Sequence, residues 1–267
     1  MEILDQLKRD TIQSLVSAGK RADDRDNFSY RDISVKKNIL EYSEGSALVR
    51  VGKSQVLCAI KIGIGEPFPD RLDEGILTTS AELMPLASYL FDPGPPSDEA
   101  IELARIVDRG VRAAEIIDVK KLYISENKVF VVYIDVYVMD HDGNLIDAAG
   151  LAAMAALQCT RMPKIENGQI VKGEYEGKLD LLKDVTTHTF AKVGNTLLID
   201  PCLDEEKGMD ARVTLGITDK NTICAIQKWG SGSFSQDELF QVIDIAFKKR
   251  KELKELIDNA WGVKYGK

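Results

Sequence analysis

Three arginines, at positions 105, 109 and 112, form the sharpest chemical pattern in the sequence. If the chain from about Asp98 to Ile117 is helical, ~100° per residue gathers Arg105, Arg109 and Arg112 into one arc roughly 60° wide. Leu103, Ile106, Val107, Gly110, Ala114 and Ile117 then fall on the opposite side. Guanidinium forks match phosphate oxygens two bonds at a time, so such a row suits a nucleic-acid backbone. The same face can equally be solvated and held by local pairs, such as Asp108 with Arg112 four residues on.

A second cluster is DPCLDEEKGMD, residues 200–210, where Asp200, Asp204, Glu205, Glu206 and Asp210 crowd together. Carboxylates at this density can hold Mg²⁺ or supply a general acid. Pro201 and Gly208 mark the segment as a loop between strands, where acids are ordinarily just solvated. DHDGNLID (140–147) superficially suggests a calcium loop but lacks its ligands, its glycine and its terminal glutamate at the required offsets. It reads as a hairpin turn at Asp142-Gly143-Asn144. The glycines of WGSGSF (229–234) precede a helix start and allow either a phosphate cradle or a plain loop. No Ser/His/Asp or Cys/His arrangement is readable. With two histidines in the chain, a histidine-rich metal site is excluded, and Cys58, Cys159, Cys202 and Cys224 form no CxxC pair. Reduced, buried thiols are the expectation, with no metal and no cofactor.

These groups need a scaffold, and the sequence supplies one. At 267 residues and 44% hydrophobic, the chain has enough apolar surface for one large domain or two small ones. Thirty-five basic against 43 acidic residues leave a net charge of −8. That balance excludes a free-standing nucleic-acid binder unless a local patch or another chain supplies the positive surface. Val129–Met139, the longest apolar run, is too short to span a bilayer and contains Asp135. MEILDQLKRD lacks the apolar segment of a signal peptide, so a soluble, cytoplasmic protein is expected.

Apolar spacing predicts an amphipathic helix over 3–16, followed by a polar, charge-rich stretch over 19–32. A hairpin follows, with strands over 46–51 and 55–62 joined by Gly-Lys-Ser. A surface loop covers 63–75, and Ile76–Leu90 reads as strand. Ser97 is placed to cap the arginine helix. Lys128–Met139 is the clearest strand, rich in Val, Ile, Tyr and Phe, and Ala148–Leu157 is a small-residue helix. Residues 164–184 read as a charged connection. Short strands are expected at 186–193, 196–200, 212–217 and 222–228. Ser235 with Glu238 makes a capping box for a helix reaching about Ala260. A weak echo links the turn and strand at 51–61 with those at 218–228, as two copies of a β-β-α unit would. Strand runs followed by helices argue for an α+β class rather than a doubly wound sheet.

Five ordered segments then carry a family resemblance: GSALVRVGKSQVLCAIK, EPFPDRLDEGIL, ELARIVDRGVRAAEIID, IDVYVMDHDGNLIDAAGLAAMAAL and DPCLDEEKGMDARVTLGI. Over residues 20 to 260 the chain resembles the RNase PH-like proteins, and more narrowly the non-catalytic ring subunits of the archaeal exosome. The resemblance implies an RNase PH-like fold with an N-terminal helix and arm (1–27), a first segment with its connection (28–184) and a second segment (185–267). It implies a hexameric ring, a trimer of heterodimers with a catalytic RNase PH-like paralogue, topped by an RNA-binding cap. Such a ring degrades single-stranded RNA from the 3′ end by phosphorolysis.

Active members follow the Asp-Gly turn with a Gly-Ser/Thr-Arg phosphate-binding element. Here those positions are Asn144, Leu145 and Ile146, with Asp147 next. Isoleucine cannot hold inorganic phosphate, and an adjacent aspartate repels it. Two aspartates six residues apart are also expected; Glu206 and Asp210 are the nearest match, two residues too close. The resemblance therefore implies no catalytic residue in this chain, with Arg105, Arg109 and Arg112 contacting RNA phosphates. An active phosphate-dependent 3′–5′ exoribonuclease is the alternative.

Overall fold

The computed structural model describes residues 3–219 and 222–262. Two antiparallel-rich sheets face each other across one buried helix. The larger sheet contains β1 (Ile33–Lys37), β2 (Gly45–Val51), β3 (Ser54–Gly65), β4 (Ile76–Leu83), β5 (Tyr123–Ser125) and β6 (Lys128–Asp140). Its main path runs β13-β1-β2-β3-β6-β4, with β5 paired to β6 and the short β13 (Trp261–Gly262) returning from the far end of the chain. Among the described residues, only β4 on β6 and β13 on β1 pair in parallel. The smaller sheet has the order β10-β9-β11-β12, from β9 (Val185–Val193), β10 (Thr196–Ile199), β11 (Ala211–Thr218) and β12 (Ile223–Gly230).

The central helix is α3 (Leu145–Gln158), packed on β2 and β3 to one side and β9 to the other. Every residue from Ile146 to Leu157 is buried. Apart from Asp147, which has hydrogen-bond partners of its own, the buried stretch is apolar on every side, and its alanines let both sheets approach. At Gly150 there is no room for a side chain: a Cβ there would lie 2.4 Å from Thr187 Oγ1. The helix α2 (Asp98–Ala113) packs on β4 and α3, with Ser97 Oγ accepting from Ala100 N–H. The long α5 (Gln236–Asp258) starts in the capping box of Ser235 and Glu238. It buries Val242 and Ala246 against the smaller sheet, then Leu253 and Ile257 in the main core. Through α5 and β13, residues 236–262 pack on the first segment. At the N-terminus, α1 (Ile3–Ser17) buries Ile12 and Val16 with Val193, Leu198 and Met209.

Several expectations change. The strand expected over 76–90 stops at Leu83, where Pro85 removes a ladder donor and Ala87 N–H bonds Met84 O in a turn. The arginine helix ends at Ala113 rather than Ile117, because Glu115 takes a left-handed φ of 51°. Residues 164–184 are more than a connection: β7 (Arg161–Glu166) and β8 (Gln169–Lys178) form a hairpin about Asn167-Gly168, both with positive φ. The acidic segment is not a plain loop, since Leu203–Gly208 forms the short helix α4. Nor is Asp142-Gly143-Asn144 a hairpin turn. It passes β6 into α3, with Asn144 left-handed (φ 50°) as N-cap. Of the echo, β2–β3 and β11–β12 are both antiparallel pairs, while Lys220 and Asn221 of the second turn lie outside the described residues.

The arm after α1 is tied down by charge. Arg21 and Glu205 are both fully buried, with Nη2–Oε2 at 2.6 Å and Nε–Oε1 at 2.8 Å. Arg21 also donates to the carbonyls of Ile199 and Asp200, and Glu205 accepts from Cys202 N–H. Removing one member of a buried pair costs about 3–5 kcal/mol, because the other charge is left desolvated. Arg21→Met should lower the urea midpoint accordingly. The double variant Arg21→Met/Glu205→Leu should recover part of that stability. A double variant as unstable as the sum of the two singles would contradict the coupling.

Candidate functional site

The start of α3 is the meeting point of the groups that sequence analysis singled out. Gly143 (φ 84°) lets the β6–α3 turn lie directly on the turn before α4; a Cβ there would sit 2.4 Å from the Cys202 carbonyl carbon. Leu203 N–H donates to Asp142 O at 3.0 Å. Ser54, at the start of β3, accepts from Asp142 N–H and donates to Gly143 O. The two segments are thus pinned together.

Beneath the turn lies a buried polar network. Asp200, fully buried, accepts from Arg31 through Nε (3.0 Å), Nη2 (2.8 Å) and the backbone N–H (2.9 Å). Arg25 Nη1 and Asn144 Nδ2 also donate to it. Burial alone would raise its pKa, but the Arg31 hydrogen bonds and charge hold it below the usual carboxylate value. Asn144 Nδ2 also donates to Asp147 Oδ2 at 3.0 Å. Asp147 accepts further bonds from Thr189 N–H, Thr189 Oγ1 and Tyr30 OH. Burial pushes the Asp147 pKa up to about 7, against the lowering effect of its hydrogen bonds to Asn144 and Thr189. Tyr30 OH also meets His188 Nδ1, whose ring is buried and neutral with a pKa pushed down to about 3.

Above the turn is a cleft of about 510 Å³, bounded by α2, the end of β4, the first turn of α3, α4 and β12. Leu145 and Ile146 line it, and so does Glu206. Glu206 Oε1 accepts from Asn144 N–H at 2.9 Å. Its carboxyl therefore stands at the N-terminus of α3, where an external anion would otherwise be attracted. Burial raises the Glu206 pKa to about 7. Asp210 does not join it. Its carboxylate accepts from Arg9 Nη2 (2.9 Å) and Gly194 N–H (2.8 Å), tying α1 to the β9–β10 turn. Glu206 and Asp210 thus serve different structural partners. The clustered carboxylates are dispersed in this way, and among the described residues no group of three His, Cys, Asp or Glu side chains is placed to hold a metal ion. The WGSGSF glycines pack against Asp210, and Gly232 N–H donates to Asp210 O.

Arg105, Arg109 and Arg112 are all exposed on α2, as the helical arc requires. They do not share one groove. Arg105 and Arg112 border a groove between α2 and β4, while Arg109 Nη1 reaches the other way to Gln227 on β12 at 3.0 Å. Arg112 makes the expected pair with Asp108 (2.8 Å) and also donates to Leu77 O (2.6 Å). Sequence analysis missed Arg31, Tyr30 and the buried role of Asp147. The polar run Thr186-Thr187-His188-Thr189 beside an alanine-rich helix was the available signal, since buried polar groups come in partnered sets.

Residues 29–163 match the 3′ exoribonuclease family, domain 1, and residues 185–249 match domain 2 of that family. Among curated relatives, "Exosome complex component Rrp42" of Thermococcus gammatolerans is 48% identical over 98% of this chain and 98% of its own length. The protein of the same name from Pyrococcus abyssi is 45% identical over 96% and 95%. Among solved structures, a chain of the "archaeoglobus fulgidus exosome with RNA bound to the active site" superposes with a TM-score of 0.89 at 38% identity, covering 95% of this chain and 99% of that one. A chain of an "Archaeal exosome core" gives 0.85 at 33%, covering 96% and 98%.

The network makes stability depend on pH. The folded chain retains protons on Asp147 and Glu206 that the unfolded chain gives up above pH ~4. Their contribution is therefore present below pH ~4 and fades as pH rises towards 7. His188 acts in the opposite sense, its contribution fading as pH falls from ~6.5 towards 3. Urea denaturation between about pH 5 and 7 should show Asp147→Asn shifting the slope of stability against pH upward by about 1.4 kcal/mol per unit, one proton's worth. An unchanged slope would mean that Asp147 is ionised throughout.

Proposed function

Since the chain belongs to the 3′ exoribonuclease family of RNase PH-like proteins, we propose that it is a non-catalytic subunit of an archaeal-type exosome core. It forms a hexameric ring, a trimer of heterodimers, with a catalytic RNase PH-like paralogue, and RNA-binding cap subunits sit on the ring. Residues 28–184 and 185–267 are its two RNase PH-like segments, after an N-terminal helix and arm over 1–27. The complex acts in the cytoplasm on single-stranded RNA, attacking the 3′ end with phosphate. This chain helps bind the RNA and shapes its partner's active site.

The observation that carries the non-catalytic reading is the occupancy of the α3 N-terminus. Phosphorolysis needs inorganic phosphate held beside the scissile bond, with positioning tolerances well under 1 Å. Here Glu206 accepts the Asn144 N–H and Leu145 and Ile146 present hydrocarbon. The Asp147 carboxyl beneath is enclosed by donors and exposes nothing to the cleft. Phosphate entering here would displace an internal hydrogen bond and meet no arginine of the α3 turn.

RNA binding falls to the α2 arginines. Arg105 has no protein partner among the described residues, so its five donors are available for phosphate oxygens. Arg112 keeps donors beyond those given to Asp108 and Leu77. A chain of net charge −8 can hold RNA this way, because only the path itself must be positive.

Phosphate-dependent release of nucleoside diphosphates from a poly(A) oligomer, with mass followed by light scattering, tests the assignment. This chain alone should be silent, and its mixture with the catalytic paralogue should form an active hexamer. Phosphorolysis by this chain alone would make it an enzyme in its own right, with Glu206 and Asp210 the first residues to substitute. In the mixed ring, Arg112→Glu and Arg105→Glu should each weaken RNA binding and processivity. Each should also flatten the slope of log affinity against log salt by about 0.7 for every RNA phosphate no longer neutralised. Unchanged affinity at moderate salt would remove the α2 arginines from the RNA path.

A further inference from the structure

The cleft over α3 is left without a role once phosphate is excluded from it, yet it is the kind of cavity that ligands fill. Its volume of about 510 Å³ is in the range of small-molecule sites. Leu103, Ile106, Leu145, Ile146, Leu203 and Met209 supply an apolar wall.

Its charges are mixed, with the carboxyls of Glu99, Glu102 and Glu206 facing Lys207 and Arg212. Glu102 Oε1 accepts from Arg212 Nη2 at 2.8 Å and from Gln227 Nε2 at 3.3 Å. Glu206 is held by the Asn144 N–H and carries a raised pKa of about 7. Glu99 and Lys207 remain, one of each sign. An anion meets carboxylates here and a cation meets Lys207 and Arg212, so neither sign is favoured.

Aromatic surface is concentrated around the same space. His141 stacks on Phe91 with centroids 5.3 Å apart, and burial lowers its pKa, favouring the neutral ring. Gly143 N–H points at His141 Nδ1 from 3.4 Å. Across the cleft, the Arg212 guanidinium lies 5.3 Å from the centre of the Trp229 ring. Donors and acceptors are thus both present beside apolar and aromatic side chains. A flat solute with hydrogen-bonding edges and no net charge is the matching chemistry.

We propose that this cleft binds an uncharged nucleoside, a heteroaromatic base carrying a neutral sugar, and rejects the corresponding nucleotides. The assignment rests on the non-catalytic reading above, in that the cleft has no phosphate subsite. It goes further by giving the cleft a ligand of its own.

The full chain contains two tryptophans, Trp229 and Trp261. In the Trp261→Phe variant, the fluorescence of Trp229 alone reports on the mouth of the cleft. Titration with adenosine should change it saturably below about 1 mM. ADP should bind at least about tenfold more weakly, and inorganic phosphate should have no effect. By calorimetry, Leu203→Arg at the wall should weaken adenosine binding about tenfold or more. Leu90→Trp, at an exposed position in the loop bordering the cleft, should do the same without touching the core. Absence of adenosine binding would overturn this proposal and leave the non-catalytic assignment intact. ADP or phosphate binding as tightly as adenosine would overturn both. Undiminished binding in both cleft variants would place the nucleoside elsewhere and also overturn the proposal.

Discussion

Burying the charge of Asp200 is the constraint from which the arrangement around α3 follows. A carboxylate removed from water is tolerated only when cations and donors replace its hydration. Asp200 obtains Arg31 through three hydrogen bonds, with Arg25 and Asn144 in addition. The carboxylate and its donors belong to three segments far apart in sequence: the end of β10, residues 25–31 and the start of α3. Satisfying one group therefore fixes three chain segments at once. Arg21 and Glu205 repeat the device a few residues further along, anchoring the arm to α4. Neither pair is a large net source of stability, since desolvation offsets most of the attraction. Their effect is specificity, because any other docking of the arm strands a buried charge.

The same network sets the character of the cleft. Asn144 must be left-handed to cap α3 while its side chain reaches both Asp200 and Asp147, and asparagine tolerates that conformation better than most residues. Gly143 must lack a side chain for the α4 turn to close over it. Once it closes, Glu206 falls within reach of the Asn144 N–H, and the positive end of the helix is answered from within the chain. Arg31, the cation nearest this turn, has its donors committed to Asp200 and to the carbonyls of Asp142 and Gly143. The region is built around carboxylates and their partners, with its guanidinium below the turn rather than facing the cleft.

What could be read from the sequence follows the range of the interaction responsible. The helices α1, α2 and α5, the β2–β3 hairpin and β6 were legible, because apolar period, Ser caps and a capping box act within a few residues. The ends of α2 and β4 were less so: a left-handed Glu115 and a turn at Pro85 override an apolar pattern that continues beyond them. The β7–β8 hairpin had a legible signal in Asn167-Gly168, masked by the surrounding charges. Acidic residues 200–210 were identified as a cluster, but their partners Arg9, Arg21, Arg25 and Arg31 lie on the far side of the first segment, near the start of the chain. Long-range pairing of this kind has no local signature, so a set of structural ion pairs resembled a metal or acid site. The resemblance carried by five motifs supplied what local reading lacked: Asn144, Leu145 and Ile146 stood out only against the pattern of active relatives.

The groups that hold α3 in place are separate from those that face the cleft. The core around α3 is secured by alanine packing and by the Asp200 and Asp147 networks, which lie beneath the turn and do not depend on a bound anion. Leu145 and Ile146, at the start of α3, present hydrocarbon to the cleft above those networks. Glu206, taking the Asn144 N–H, answers from within the chain one of the donors at the start of α3. The arginines of α2 face a different balance. They stand on the exposed side of a helix whose buried face is complete without them, so substitutions there cost the fold little. Keeping three arginines on one exposed arc of a chain with eight excess negative charges is thus not a folding requirement. On the function proposed above, that face is the one that meets RNA phosphates.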